Sequence, residues 1–164
     1  MGHEMGHYVL NHAYKGLALF GVLIVIAFAF VNWGINFALA RWGTAWDVRD
    51  ITDLAVLPLA AILFLFYLFI TTPVSNSITR TMEFEADMYG LNGAQQPDGE
   101  ANVDVMLGEY RKLDPGPIEE FVFYDHPSGY ARIRRSMTWK AEHLDEMAAR
   151  EAAASTPSAS APTP

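Results

Sequence analysis

Histidine and glutamate side chains with the spacing of a catalytic zinc site lie within the first seven residues. The segment HEMGH places His3 and His7 four residues apart, with Glu4 directly after the first histidine. Residues four apart share a helix face, so both imidazoles can bind one zinc ion. The alternative is that they are ordinary polar residues on an exposed first turn. The deciding question is whether a third ligand reaches the same place.

The third ligand has to come from elsewhere, because catalytic zinc usually takes three protein ligands and keeps a fourth position for water. The chain has no cysteine, which leaves a histidine or a carboxylate. In the segment EFEAD, Glu83 and Asp87 lie four apart and share a helix face, whereas Glu85 points elsewhere. One acid could bind zinc while the other accepts a hydrogen bond from a ligand histidine. A solvated acidic helix face is the alternative.

Two uncharged apolar blocks, residues 16–40 and 54–72, must bring the two motifs together. Each block is long enough to cross a hydrocarbon core of ~30 Å, and neither has the polar face of a helix lying on a soluble core. We therefore predict an all-α integral membrane protein, with transmembrane helices at about 17–40 and 54–72. The hairpin returns the chain to the side of the histidine motif.

The remaining elements follow from helix and turn signals. The sequence predicts one helix over residues 1–15 that runs into the first span, and a polar helix after Pro73 that ends at Gly90 or Gly93. Irregular segments are expected near 95–102 and 114–130, with a short amphipathic helix between them and a final helix behind them.

Charge indicates an orientation but no nucleic-acid partner. The formal net charge is −8, and the acids lie mainly in the C-terminal half, which is typical of a solvated surface. In the hairpin loop Arg41 and Arg49 are balanced by neighbouring aspartates, whereas Lys15 precedes the first span and Arg80 follows the second, on the other side. This slight bias favours a cytoplasmic histidine motif.

Four ordered motifs carry a family resemblance. HEMGHYVLNH, a two-span hairpin, SNSITRTMEFEAD and DHPSGYARI together resemble the C-terminal half of the integral-membrane zinc metalloproteases typified by the type 1 CAAX prenyl protease. The bacterial heat-shock membrane protease HtpX is more distantly similar. The resemblance covers residues 2 to about 140, and it implies a zinc-peptidase domain over 1–145. Residues 146–164 are too poor in apolar side chains to fold and are predicted to be a disordered tail.

The resemblance also implies residue roles. It makes His3, His7 and Glu83 the ligands of one zinc ion, Glu4 the general base, Asp87 a partner of a ligand histidine, and His126 and Arg132 stabilisers of the oxyanion. Hydrogen-bond donors aimed at a tetrahedral intermediate are worth ~2.7 to 4 kcal/mol each.

The predicted function is a membrane-embedded zinc endopeptidase that cleaves peptide segments at the cytoplasmic face. Prenylated C-termini are the expected substrates in a eukaryote, and membrane or misfolded proteins in a bacterium. Two alternatives stay open: a non-catalytic membrane fragment or regulator that keeps the motif, and a di-metal carboxylate protein, for which no second ligand set is visible.

The histidine motif begins at the third residue, whereas the resembling family places further helices and a substrate-binding segment before it. A ligand in a fraying first turn is poorly preorganised. We therefore expect Met1 to be an internal methionine or an artificial start, and an upstream part of the same enzyme to be a partner of these residues.

Overall fold

The computed structural model describes residues 1–48, 50–108 and 112–155. Within these residues it contains helices and no strand, so the all-α prediction is confirmed. A single 3₁₀ turn at Leu54–Val56 leads into the third helix. The seven α-helices are α1 (Gly2–Val9), α2 (His12–Trp46), α3 (Leu57–Ala94), α4 (Pro97–Leu107), α5 (Pro117–Phe123), α6 (Gly129–Glu142) and α7 (Leu144–Ser155).

The helices α2 and α3 are both long and apolar enough to cross a membrane. They contain 35 and 38 residues, and only 17% and 11% of their most apolar windows is buried in the protein. A core helix of a soluble protein would be mostly buried. The two predicted long apolar helices are therefore present.

Close contacts along α2 and α3 define an antiparallel hairpin. The position of a Cβ on Gly34 would lie 2.8 Å from a methyl group of Leu63, so the Leu63 side chain packs directly over this glycine. Farther along, the Tyr67 hydroxyl donates a 2.7 Å hydrogen bond to the carbonyl of Leu23. The hairpin brings the second half of α3 back to the level of α1.

Two helix boundaries differ from the sequence prediction. The predicted helix over 1–15 is broken, because α1 ends at Val9 and Asn11 has a left-handed backbone with φ of 56° before α2 begins. Conversely, α3 continues through Pro73 into the polar segment and ends at Ala94. Proline removes one backbone donor, but the helix on either side retains its own hydrogen bonds and tertiary contacts.

The predicted irregular segments are more helical than expected. Within 95–102, α4 begins at Pro97, and within 114–130, α5 occupies Pro117–Phe123; proline at the first helical position is favourable in both cases. The predicted disordered tail from residue 146 is helical up to Ser155, consistent with the high helix propensity of its alanines. Residues 156–164 of that tail, and 109–111 of the predicted amphipathic helix, lie outside the described residues.

Small residues allow α1 to pack directly against the backbone of α3. A Cβ on Gly2 would lie 2.9 Å from the Cα of Gly90, and a Cβ on Gly6 would lie 2.9 Å from the Cα of Ala86. Both distances are shorter than a carbon–carbon contact allows. The glycines therefore allow α1 and α3 to lie so close together that short side chains on the two helices can meet.

We expect Gly6→Ala to destabilise the protein by about 1–3 kcal/mol, because the added methyl group forces α1 away from the backbone of α3. The control is Gly93→Ala, where a Cβ would meet nothing within 4 Å. That change should be neutral or slightly stabilising, since alanine is the better helix former. Thermal unfolding in detergent measures both, and equal midpoints for the two variants would contradict the close-packing argument.

Candidate metal centre

Three possible ligand groups from α1 and α3 converge on one point. His3 Nε2 lies 3.1 Å from His7 Nε2, and the Glu83 carboxylate places one oxygen 3.5 Å from His3 Nε2 and the other 3.4 Å from His7 Nε2. Tetrahedral ligands at ~2.1 Å from one ion lie about 3.4 Å apart. The spacing and the two-imidazole, one-carboxylate donor set therefore fit a zinc ion. Among the described residues, this is the group that could hold a metal.

The local structure explains why these atoms meet. The histidines are four residues apart on α1, so their side chains leave the same face, next to the glycines that contact α3. Glu83 lies on the facing side of α3 and is 9% exposed, whereas His3 and His7 are partly exposed. Burial lowers the pKa of His7, which favours the neutral imidazole that metal binding requires.

Asp87 supports His3, as the sequence predicted it could for a ligand histidine. Its Oδ1 lies 2.8 Å from His3 Nδ1, and the aspartate is 1% exposed. Burial opposes ionisation of Asp87, but hydrogen bonds from His3 and Arg132 outweigh it and lower its pKa. The same hydrogen bond raises the pKa of His3. A proton held on Nδ1 by Asp87 leaves Nε2 as the free ligand atom of His3.

Arg132 connects this support to two other helices. From the first turn of α6 it donates to Asp87 at 2.9 Å from Nε and 2.6 Å from Nη2, and its Nη1 lies 3.2 Å from Asp104 of α4. All three guanidinium nitrogens therefore face carboxylates. The predicted contact with an oxyanion stays a prediction, and the observed geometry fixes the position of Asp87.

His126 lies at the edge of the ligand group. Its Nε2 is 3.7 Å from an oxygen of Glu83, and its side chain is 42% exposed, so it can also contact a molecule bound in front of the site. This position is compatible with the predicted role as an oxyanion donor. That role stays a prediction.

The loop that carries His126 is fixed at both ends. Before it, Arg80 and Asn76 of α3 donate to backbone carbonyls at the end of α5, including those of Glu120 at 2.8 Å and Val122 at 2.7 Å. After it, the Glu120 carboxylate accepts the backbone N–H of Ser128, which in turn caps α6. These bonds satisfy helix ends that lack partners within the helix.

Glu4 is exposed and lines an open cleft of ≈ 580 Å³ together with His7 and Glu83. The cleft continues along α2 and α3, where Leu17, Phe20 and Met82 form its apolar wall. The predicted base is thus beside the ligand group and accessible from solvent. It is not one of the three converging groups.

Sequence reasoning took His12 to be a helix-packing or polar-network residue and took Glu85 to point away from the face of Glu83 and Asp87. His12 Nδ1 lies 2.9 Å from His7 Nδ1, and His12 Nε2 lies 3.0 Å from a carboxylate oxygen of Glu85. On a continuous helix, residues five apart point in directions about 140° different. The break at Asn11 turns His12 back toward His7 despite this difference in direction. The sequence motif gave no sign of the break.

In the described residues, an HExxH helix faces a carboxylate on a second helix. This arrangement is typical of metallopeptidases. The pattern of peptidase family M48 matches residues 1–140, and the chain belongs to that family. The members of that family are metallopeptidases, which agrees with the predicted class of enzyme at the level of the family.

A curated relative agrees with the family. The chain is 30% identical over 138 residues to a Bacillus subtilis (strain 168) protein described as the uncharacterized metalloprotease YhfN. The alignment covers 83% of this chain and 32% of the relative, so the chain spans about a third of that protein's length. No solved structure matches the chain significantly.

The acids of α4 make a pH-dependent contribution to stability. Burial and the neighbouring charges of Asp87 and Asp104 raise the pKa of Glu100 to about 7, and burial raises the pKa of Asp104 to about 6. A carboxyl group whose pKa is higher in the folded than in the unfolded state stabilises the fold when protonated. This stabilisation is lost as the pH rises from about 4.5 to about 7.

We therefore expect Glu100→Gln to stabilise the protein at pH 8 by about 1–2 kcal/mol relative to the unmodified chain, allowing for partial solvent exposure. At pH 5 the difference should nearly vanish, because Glu100 is then mostly protonated. Thermal unfolding at both pH values measures this. Glu142→Gln, at an exposed position on α6, is the control; a Glu100→Gln effect that does not depend on pH would contradict the prediction.

Proposed function

We propose that this protein is a zinc-dependent membrane endopeptidase in which His3, His7 and Glu83 hold one zinc ion. The observation that carries the proposal is the convergence of their ligand atoms within 4.8 Å of one another, with the accessible carboxylate of Glu4 beside them. Two imidazoles and one carboxylate are the ligand set of a known class of catalytic zinc sites. The M48 family membership supports a peptidase reaction.

The residues divide the reaction between them. Zinc, when bound, supplies Lewis acidity that activates water and polarises the scissile carbonyl. Glu4 accepts the proton of the attacking water and then gives it to the leaving amine. His126, at the open side of the ligand group, donates to the oxyanion as the carbonyl becomes tetrahedral. Arg132 also donates to the oxyanion at this stage, and its hydrogen bonds to Asp87 keep His3 in place.

The substrate is proposed to reach the site from a membrane face. If α2 and α3 cross the bilayer, the ligand group lies just outside it, because α1, before the first span, and the polar half of α3, after the second, lie at the same end of the hairpin. The apolar wall of the cleft beside Glu4 leads toward the spans, which fits a peptide segment that emerges from or approaches the membrane. The basic residues near the spans favour the cytoplasmic face.

The proposed substrates depend on which members of the family this chain resembles in function. A CAAX-protease-like or HtpX-like enzyme would act on prenylated C-termini or on membrane and misfolded proteins. The alternative function is that of a membrane fragment or regulator that holds zinc without cleaving peptides.

Substitutions at the site should separate the base from the ligands. We expect Glu4→Gln to keep one zinc per chain and to abolish cleavage of labelled casein, because Glu4 is a base and not a ligand. His3→Ala, His7→Ala and Glu83→Ala should lose zinc, since each removes a ligand. Elemental analysis and a cleavage assay measure the two effects.

The outcomes distinguish the candidate functions. Zinc bound by the unmodified chain without any cleavage favours the non-catalytic alternative, and two metal ions per chain favour a di-metal protein. Loss of zinc in Glu4→Gln together with its retention in Glu83→Ala would contradict the proposed roles. His126→Ala should keep zinc and lower kcat.

The membrane proposal predicts that the chain stays in the membrane fraction after carbonate extraction, because two long apolar helices insert stably. Its lack of cysteine allows an orientation test with Thr52→Cys in the hairpin loop and Glu142→Cys on the side of the ligand group. A membrane-impermeant maleimide should label Thr52→Cys in intact cells and Glu142→Cys only after lysis. Recovery in the soluble fraction without detergent would contradict the two-span proposal, and the reverse labelling would contradict the orientation.

A further inference from the structure

We propose that His12 and Glu85 are positioning residues that hold His7 in the tautomer whose Nε2 faces the metal. The proposal rests on the proposed zinc site. It gives His7 a support of its own, built from different residues than the support that Asp87 gives His3. The proposal is carried by a line of contacts that runs from His7 through His12 to Glu85.

The hydrogen positions along this line follow from the chemistry of the end group. An ionised Glu85 can only accept, so His12 Nε2, at 3.0 Å, carries the hydrogen of that bond. A His12 that carries a single ring hydrogen then has a bare Nδ1. The 2.9 Å contact between the two Nδ1 atoms requires His7 to donate its own hydrogen there. The lone pair of His7 is left on Nε2, the atom that points at His3 and Glu83.

Burial makes both bonds of His12 necessary. His12 is 4% exposed, and an imidazole removed from water needs a partner for each ring nitrogen. Glu85 is itself held by Lys15 of α2 at 3.5 Å, so the acceptor at the end of the line has a cation beside it.

The backbone is shaped to make the contact between the histidines possible. Asn11 has φ of 56°, a left-handed conformation that asparagine adopts more readily than most residues. This single residue redirects the chain between α1 and α2, so that His12 comes back against His7, with the ring centres 4.9 Å apart. An unbroken helix over 1–15 would carry His12 away from the ligand face.

The tautomer of His7 can be read directly in the metal-free chain. Long-range ¹H–¹⁵N spectra of the detergent-solubilised protein, with ¹⁵N-labelled histidine, distinguish hydrogen on Nδ1 from hydrogen on Nε2. Only five histidines contribute, and His7→Ala and His12→Asn assign their signals. We expect His7 with hydrogen on Nδ1 and His12 with hydrogen on Nε2. His7 with its hydrogen on Nε2 alone would overturn the proposal.

Zinc affinity provides the second test. Loss of a residue that supports a metal ligand typically costs 10–100-fold in affinity. We expect this loss for His12→Leu, measured by chelator competition, and a recovery to within threefold of the unmodified chain for His12→Asn, whose Oδ1 can accept the hydrogen of His7. His143→Asn, on the far end of α6, is the control and should leave affinity unchanged.

The two tests separate this proposal from the proposed function. If the unmodified chain binds zinc and the zinc affinity of His12→Leu is within tenfold of it, the positioning role is wrong and the zinc site stands. Equal losses in His12→Leu and His12→Asn would also overturn the positioning role. If the unmodified chain binds no zinc, the proposed function fails, and the tautomer spectra alone decide whether His12 and Glu85 orient His7.

Discussion

The backbone contact between α1 and α3 is the constraint on which the candidate site depends. Imidazole and carboxylate side chains are short, so Nε2 of His3 can lie 3.5 Å from Glu83 only if the helices that carry them nearly touch. Gly6 and Ala86 allow that approach, with no side chain between the two backbones. Because interiors are close-packed, a single added methyl group at this contact moves the ligand atoms apart. The helix hairpin provides the framework by returning α3 to the level of α1.

The polar groups around the ligands form two branches that satisfy one another. On one side, buried Asp87 joins His3 to Arg132, which ties α6 and α4 to the site. On the other side, His12 joins His7 to Glu85. Buried charges are costly unless they are paired and hydrogen-bonded, and each branch ends in such a pair. The network joins three of the shorter helices to the long α3.

Sequence patterns predicted the large elements better than their ends. The long apolar helices and the polar continuation of α3 follow from composition over many residues, where individual preferences add. The break at Asn11 depends on the left-handed backbone conformation of one residue. The contact between His7 and His12 that this break allows offsets the cost of that conformation. The tail from residue 146 was predicted to be disordered because it lacks apolar residues, but its alanines and charged side chains suit a surface helix as far as Ser155.

The sequence by itself determined the kinds of ligand atom and their local spacing. HEMGH sets two imidazoles on one face of α1, and EFEAD sets Glu83 and Asp87 on one face of α3, because side-chain direction on a helix follows from residue number. Only the tertiary structure decided which groups meet across the interface between helices. It placed His12 between His7 and Glu85 and directed Arg132 to carboxylates. Such contacts depend on helix separation, rotation and one backbone break, and these are set by packing between segments distant in the sequence, such as His12 and Glu85, which are 73 residues apart.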